Sequence, residues 1–175
     1  MEYNRIMIEQ PKFELIKKQS PFELRRYQAF TMVEASDRDL ESYQGFRLAF
    51  NFIQGENQKQ QKISMSAPVV NQMNDDGIQT TAFVMPPKMA HEDVPNPSNQ
   101  SLKKVLVPER ICAVYRFSSN PKMTVIRKYE EELKQWLDEQ GYVIIGNLQL
   151  ARYNPPFIPG FLKHNELWFE VEQKK

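Results

Sequence analysis

The spacing of apolar positions along the chain switches between two and about three and a half residues, and each switch marks an element. Lys12 to Lys17 reads as a short strand, and Phe22 to Ala35 (FELRRYQAFTMVEA) as a long one with a break near Gln28. Before the break Phe22, Leu24 and Arg26 share a face; after it Ala29, Thr31, Val33 and Ala35 do. Ser36 to Glu41 reads as a polar turn; from Tyr43 to Gln54 the period becomes helical, and Gly55 supplies the stop. Lys62 to Met73 alternates again, and Asn74-Asp75-Asp76-Gly77 predicts a hairpin turn into Ile78 to Met85. A proline-rich loop, PPKMAHEDVPNPSN, precedes strands predicted at Leu102 to Val107 and Arg110 to Ser118. Asn120-Pro121 predicts an N-cap and first turn for a second helix ending at Gly141. Strands over Gly146 to Tyr153 and Glu166 to Glu172 close the pattern.

Strand–helix–strand–strand therefore occurs twice at an offset of roughly 85 residues. The offset sets Phe22 against Ile111, Ile63 against Leu148 and Thr80 against Leu167. The fold class expected is α+β: a distorted antiparallel β-barrel or sheet with two helices, built from two pseudo-symmetric halves. One domain spans 1–175, with halves at about 12–100 and 101–175.

Two stretches depart from ordinary amphipathic design. On the first helix Tyr43, Phe46, Leu48, Ala49, Phe50, Phe52 and Ile53 spread over roughly 220° of arc, against about 100° for a helix that buries one stripe. Such a helix has apolar surface for two partners: its own sheet, and either more protein or a ligand. The second helix keeps its apolar residues within roughly 120°, and Glu130-Glu131-Glu132 falls on its solvated side. The other unusual stretch, Asn154 to Asn165 (NPPFIPGFLKHN), joins two antiparallel strands where two to five residues are usual. It holds Phe157, Ile158, Phe161 and Leu162, stiffened by Pro155, Pro156 and Pro159. It reads either as the wall of a pocket or as a plug for an open barrel end.

Composition narrows the class. A net charge of +1 over 175 residues gives no bulk attraction to nucleic acid or an anionic membrane. No apolar run approaches a membrane span, and MEYNRIMIEQPKFELIKK lacks the apolar core of a signal peptide. One cysteine, Cys112, excludes an internal disulfide and fits a reducing compartment. A cytoplasmic protein is expected.

Catalytic patterns are weak. Ser64 and Ser66 sit in no nucleophile elbow, and no glycine-rich phosphate loop is present. The two histidines, His91 and His164, have no zinc-ligand spacing, so no structural metal is expected. His91 reads as solvated; His164, at the end of the apolar loop, is placed to reach the metal of a bound cofactor. No enzyme is expected.

The motifs FELRRYQAFTMVEA, GFRLAFNFIQGEN, KISMSAPVV and ARYNPPFIPGFLKHNELWFEV occur in this order and cover nearly the whole chain. In them the sequence resembles a single-domain, bacterial-type member of the SOUL haem-binding protein family. The resemblance implies a distorted barrel of eight or so strands with two helices, and a haem or other tetrapyrrole as ligand. It places the ligand in an apolar groove between the first helix (Tyr43, Arg47, Phe50, Asn51) and the loop (Phe157, Ile158, Phe161, Leu162, Lys163). Arg47 and Lys163 would pair with propionates, and His164 is the candidate axial ligand. Asn51 stands where some relatives carry a basic residue. The partner implied is an apolar planar small molecule, held by a carrier or buffer. The alternative is a binding module for another apolar effector, because the family also resembles effector-binding domains of transcription activators; no DNA-binding segment is evident in this sequence.

Overall fold

A computed structural model describes residues 8–37 and 43–175. Most of the polar turn expected over Ser36 to Glu41 lies outside them. In chain order the elements are β1 Phe13–Gln19, β2 Phe22–Tyr27, β3 Phe30–Ser36, α1 Gln44–Ile53, β4 Val69–Asn74, β5 Gly77–Val84 and β6 Leu102–Val107. Then come β7 Arg110–Phe117, α2 Met123–Gln140, β8 Tyr142–Ile144, β9 Gln149–Arg152 and β10 Asn165–Gln173. The strands form one antiparallel sheet in the order β1-β2-β7-β10-β9-β4-β5-β3-β6, with β8 pairing β10. The end strands β1 and β6 do not pair with each other, so the α+β fold is as expected but the barrel is open.

The internal repeat is visible in the strand order. Outward from the central β4–β9 pair lie β5, β3 and β6 on one side and β10, β7 and β2 on the other. The break expected near Gln28 separates β2 from β3, which go to opposite ends of the sheet. The counterpart of β7 is therefore β3, and the match of Phe22 to Ile111 is one strand early. Periodicity cannot see this, because two consecutive strands carry the same alternation wherever they pair.

Both helices cover the same face. Across the sheet Val33, Phe83, Val69 and Arg152 form one row, and Ala35, Thr81, Asn71 and Leu150 the next on that face. Val33, Val69 and Phe83 pack under Ala49, Phe52 and Ile53 of α1. Leu150, Leu167 and Ala113 pack under Ile126, Leu133, Trp136 and Leu137 of α2. The opposite face buries its own core, including Tyr27, Met32, Val70, Ala82, Val114, Ala151 and Trp168.

Several local expectations are corrected. The strand expected over Lys62 to Met73 begins only at Val69. Pro68 has no N–H for a ladder, and the amides of Ile63 and Ala67 are spent on the carbonyls of Ile53 and Glu9. The strand expected from Gly146 is limited to Gln149–Arg152, and β8 is additional. The N-cap of α2 is Lys122, with no side-chain cap; the Asn120 side chain instead receives Lys163 Nζ at 2.9 Å. Glu130 is buried, not solvated. Burial alone would raise its carboxyl, but Arg127 (2.7 Å) and Lys134 (2.9 Å) outweigh that and hold it below the usual carboxylate range. His91 is half-buried, with Nδ1 3.0 Å from Thr31 Oγ1. Gly141 does end α2, in the left-handed conformation at φ 73°.

Candidate functional site

The wide apolar arc of α1 is divided between two environments. Ala49, Phe52 and Ile53 are fully buried against the sheet. Phe46 and Leu48 are half-buried, and Phe46 meets Phe83 edge-on at 5.0 Å. Tyr43 and Phe50 are 60% and 38% exposed, and Phe50 stacks on Phe46 at 6.2 Å. Tyr43, Arg47 and Phe50 recur at i, i+4 and i+7, so they share one edge of the helix. The helix itself packs on β3 and β5. Asn51 is half-buried beside that edge.

From Arg152 the chain enters the loop expected to form the other wall. Its tip is open, with Phe157 82%, Phe161 76% and Leu162 61% exposed and Ile158 half-buried. The alternative of a barrel plug does not fit side chains this exposed. A 3-10 turn, Gly160–Leu162, shapes the tip, and Lys163 anchors to Asn120. α1 sits over β3 and β5 and the loop hangs from β9 and β10, so between them lies β4. The separation from β5 to β9 is two strand spacings, about 10 Å.

The base of the loop is clamped from the opposite face of the sheet. The Tyr153 and His164 rings stack at 4.2 Å, the Tyr153 amide donates to the His164 carbonyl, and the His164 amide donates to Asn154 Oδ1. His164 Nε2 lies 2.8 Å from Glu166 Oε1. An ionised carboxylate only accepts, so Nε2 carries the proton. That ring nitrogen is thus already engaged. Glu166 also accepts both Arg25 Nη groups at 2.9 Å, Trp168 Nε1 at 2.7 Å and Tyr153 Oη at 3.1 Å. Arg25 in turn donates to Glu23 (2.7 Å) and Tyr27 Oη (2.8 Å), with Phe13 under its guanidinium.

Burial pushes the Glu166 carboxyl up, but the donors from His164 and Arg25 and the Arg25 charge prevail and hold it at about 2. Burial pushes the Tyr27 and Tyr153 hydroxyls up and both stay neutral. Because the folded value of Glu166 lies below the unfolded one near 4.3, its contribution is complete above that pH and drains away as pH falls toward 2. Acid unfolding of wild type should therefore steepen over this window. Glu166→Gln should flatten it; equal slopes in the two proteins would deny the carboxylate this role.

Sequence reasoning missed this network. Glu23, Arg25 and Glu166 alternate with Leu24 and Leu167, so they read as the solvent face of half-buried strands. Among the described residues no group of three or more His, Cys, Asp or Glu is arranged to hold a metal. No helix there is long and apolar enough to cross a membrane.

A family model for SOUL heme-binding proteins matches residues 8–170. The chain belongs to the SOUL heme-binding protein family. No curated protein matches it significantly. Among solved structures, the C-terminal domain of EcmrR aligns with a TM-score of 0.65 at 10% identity, over 87% of this chain and 97% of that one. A hydrolase from Listeria innocua aligns at 0.63 and 10% identity, over 90% and 94%. A conserved protein from the same organism aligns at 0.65 and 12% identity, over 86% and 92%. At such identities these likenesses show the fold and nothing about the site.

Proposed function

We propose that this protein binds haem or another tetrapyrrole between the Tyr43–Arg47–Phe50 edge of α1 and the 154–165 loop, as a carrier or buffer and not as an enzyme. The observation that carries the reading is the exposed aromatic and aliphatic surface on both walls, Tyr43 and Phe50 against Phe157, Phe161 and Leu162. Apolar surface of this kind favours a flat apolar ligand over water. Arg47 and Lys163 stand on the two walls, where cations suit propionate carboxylates. Arg47 is exposed, and Lys163 holds only a neutral amide. A non-catalytic role is supported by Glu166: both its oxygens are taken by donors and its carboxyl is held at about 2, far from the range useful for proton transfer at neutral pH.

The engagement of His164 Nε2 by Glu166 favours a second reading, in which an apolar effector other than an iron tetrapyrrole occupies the same surface. A haemin titration followed by absorbance separates the two. A saturable one-to-one change in the Soret band supports the tetrapyrrole reading. A further change with His164→Ala would make that histidine an iron ligand after rearrangement. No saturable change, with thermal stabilisation by other apolar ligands, would transfer the site to the second reading.

A further inference from the structure

The most exposed large apolar side chains of the described residues stand together. Phe157, Phe161 and Leu162 are 82%, 76% and 61% exposed, and all three belong to the tip of the 154–165 loop. Apolar residues scattered singly on a surface are ordinary, whereas a cluster of this kind marks contact with another apolar phase. The tip is also held in place. Pro155, Pro156 and Pro159 restrict its backbone, Gly160–Leu162 forms a 3-10 turn, and the Tyr153–His164 stack closes its base. Behind it Lys163 Nζ donates to Asn120 Oδ1 at 2.9 Å, and a Cβ added at Gly160 would stand 3.1 Å from the Asn120 nitrogen. A stiff tip presents its side chains without first having to be ordered, so less entropy is lost on contact.

The surroundings of the tip select the kind of phase. Residues 153–165 and the neighbouring segment 118–124, to which Asn120 belongs, carry Lys122, Lys163 and His164 and no Asp or Glu. Lys122 is exposed, and Lys163 holds only the neutral Asn120 amide. Apolar side chains flanked by cations match the layering of a bilayer with anionic headgroups, acyl chains within and phosphates at the surface. The net charge of +1 gives no bulk attraction to such a surface, so recognition is local to this tip. We infer that the 154–165 loop docks the protein on an anionic lipid bilayer, with Phe157, Phe161 and Leu162 in the interface and Lys122 and Lys163 at the headgroup phosphates. The loop is shared with the proposed groove, but the inference does not depend on what the groove holds.

The full chain is floated with vesicles of phosphatidylcholine alone and of phosphatidylcholine mixed with phosphatidylglycerol. Wild type should bind the mixed vesicles at least fivefold more tightly than the neutral ones, and added salt should erase that difference. Phe157→Ser and Phe161→Ser should each weaken binding by roughly tenfold. Their thermal midpoints should match wild type, because neither ring is buried in the fold. Lys122→Gln should weaken binding to the mixed vesicles by about fivefold and leave the neutral ones unaffected. The tryptophan of Phe157→Trp should shift to shorter wavelength on binding and be quenched by brominated acyl chains. Wild type, whose Trp136 and Trp168 are buried, should not respond to that quencher. Absence of flotation, equal flotation with both vesicles, or flotation indifferent to Phe157→Ser and Phe161→Ser would each overturn the inference. A dimer dissolved by Phe161→Ser, without flotation, would assign the tip to a second copy of the chain and overturn it as well. Haemin binding without flotation would defeat the inference and leave the groove reading standing; flotation without saturable haemin binding would uphold the inference and defeat the tetrapyrrole reading.

Discussion

Glu166→Ala should lower the unfolding free energy by roughly 3–5 kcal/mol, the usual cost of stripping one partner from a buried ion pair. Glu166 is 1% exposed and Arg25 3%, and their two hydrogen bonds at 2.9 Å form a bidentate fork. Without the carboxylate, the Arg25 guanidinium keeps only Glu23 and Tyr27, and Trp168 Nε1 and Tyr153 Oη lose their acceptor. The damage should reach the loop as well, because the Tyr153–His164 stack that closes its base rests on the same oxygens. Chemical denaturation gives the free energy, and limited proteolysis within 154–164 reads the loop. Glu166→Gln should be milder, since an amide oxygen still accepts from Arg25 or Trp168. Loss of less than about 1 kcal/mol in Glu166→Ala would mean that water replaces the carboxylate and the network is not what holds this end of the sheet.

Two phenylalanines on α1 should behave as opposites. Phe52→Ala should cost roughly 3–5 kcal/mol, because Phe52 is wholly buried among Val33, Val69 and Phe83 and its removal leaves a cavity. Phe50→Asp should leave the thermal midpoint within a few degrees, because the new carboxylate at a site 38% exposed can reach water. The same substitution should abolish saturable haemin binding by setting a charge against an apolar face. Melting curves and haemin titrations on both variants decide the matter. A Phe50→Asp protein that fails to fold would show that this helix edge belongs to the core. One that binds haemin normally would remove α1 from the site.

Much of this was legible in the chain because alternation and helical spacing are local. The β4–β5 hairpin follows from Asn74-Asp75-Asp76-Gly77, and the end of α2 from Gly141. The excess apolar arc of α1 pointed to two environments, and Phe50 and Phe52 occupy them. Short-range patterns were less secure where a tertiary bond displaced a local one. Asn120 looked like a cap but serves Lys163, and Glu130 looked solvated but lies in a cation pair against the sheet.

The sequence by itself determined most element types, the repeat and the family, since each rests on residue spacing or on a continuous motif. Tertiary structure decided which strands meet, that the barrel stays open, and which charges lose water. β2 and β3 are adjacent in sequence yet end up at opposite ends of the sheet, so Arg25 comes to Glu166 across 141 positions. That Arg25 is buried and held by Glu23, Tyr27 and Glu166 is likewise invisible in its strand pattern. It depends on what the opposing strands bring within hydrogen-bonding distance, and burial makes a lost partner there costly.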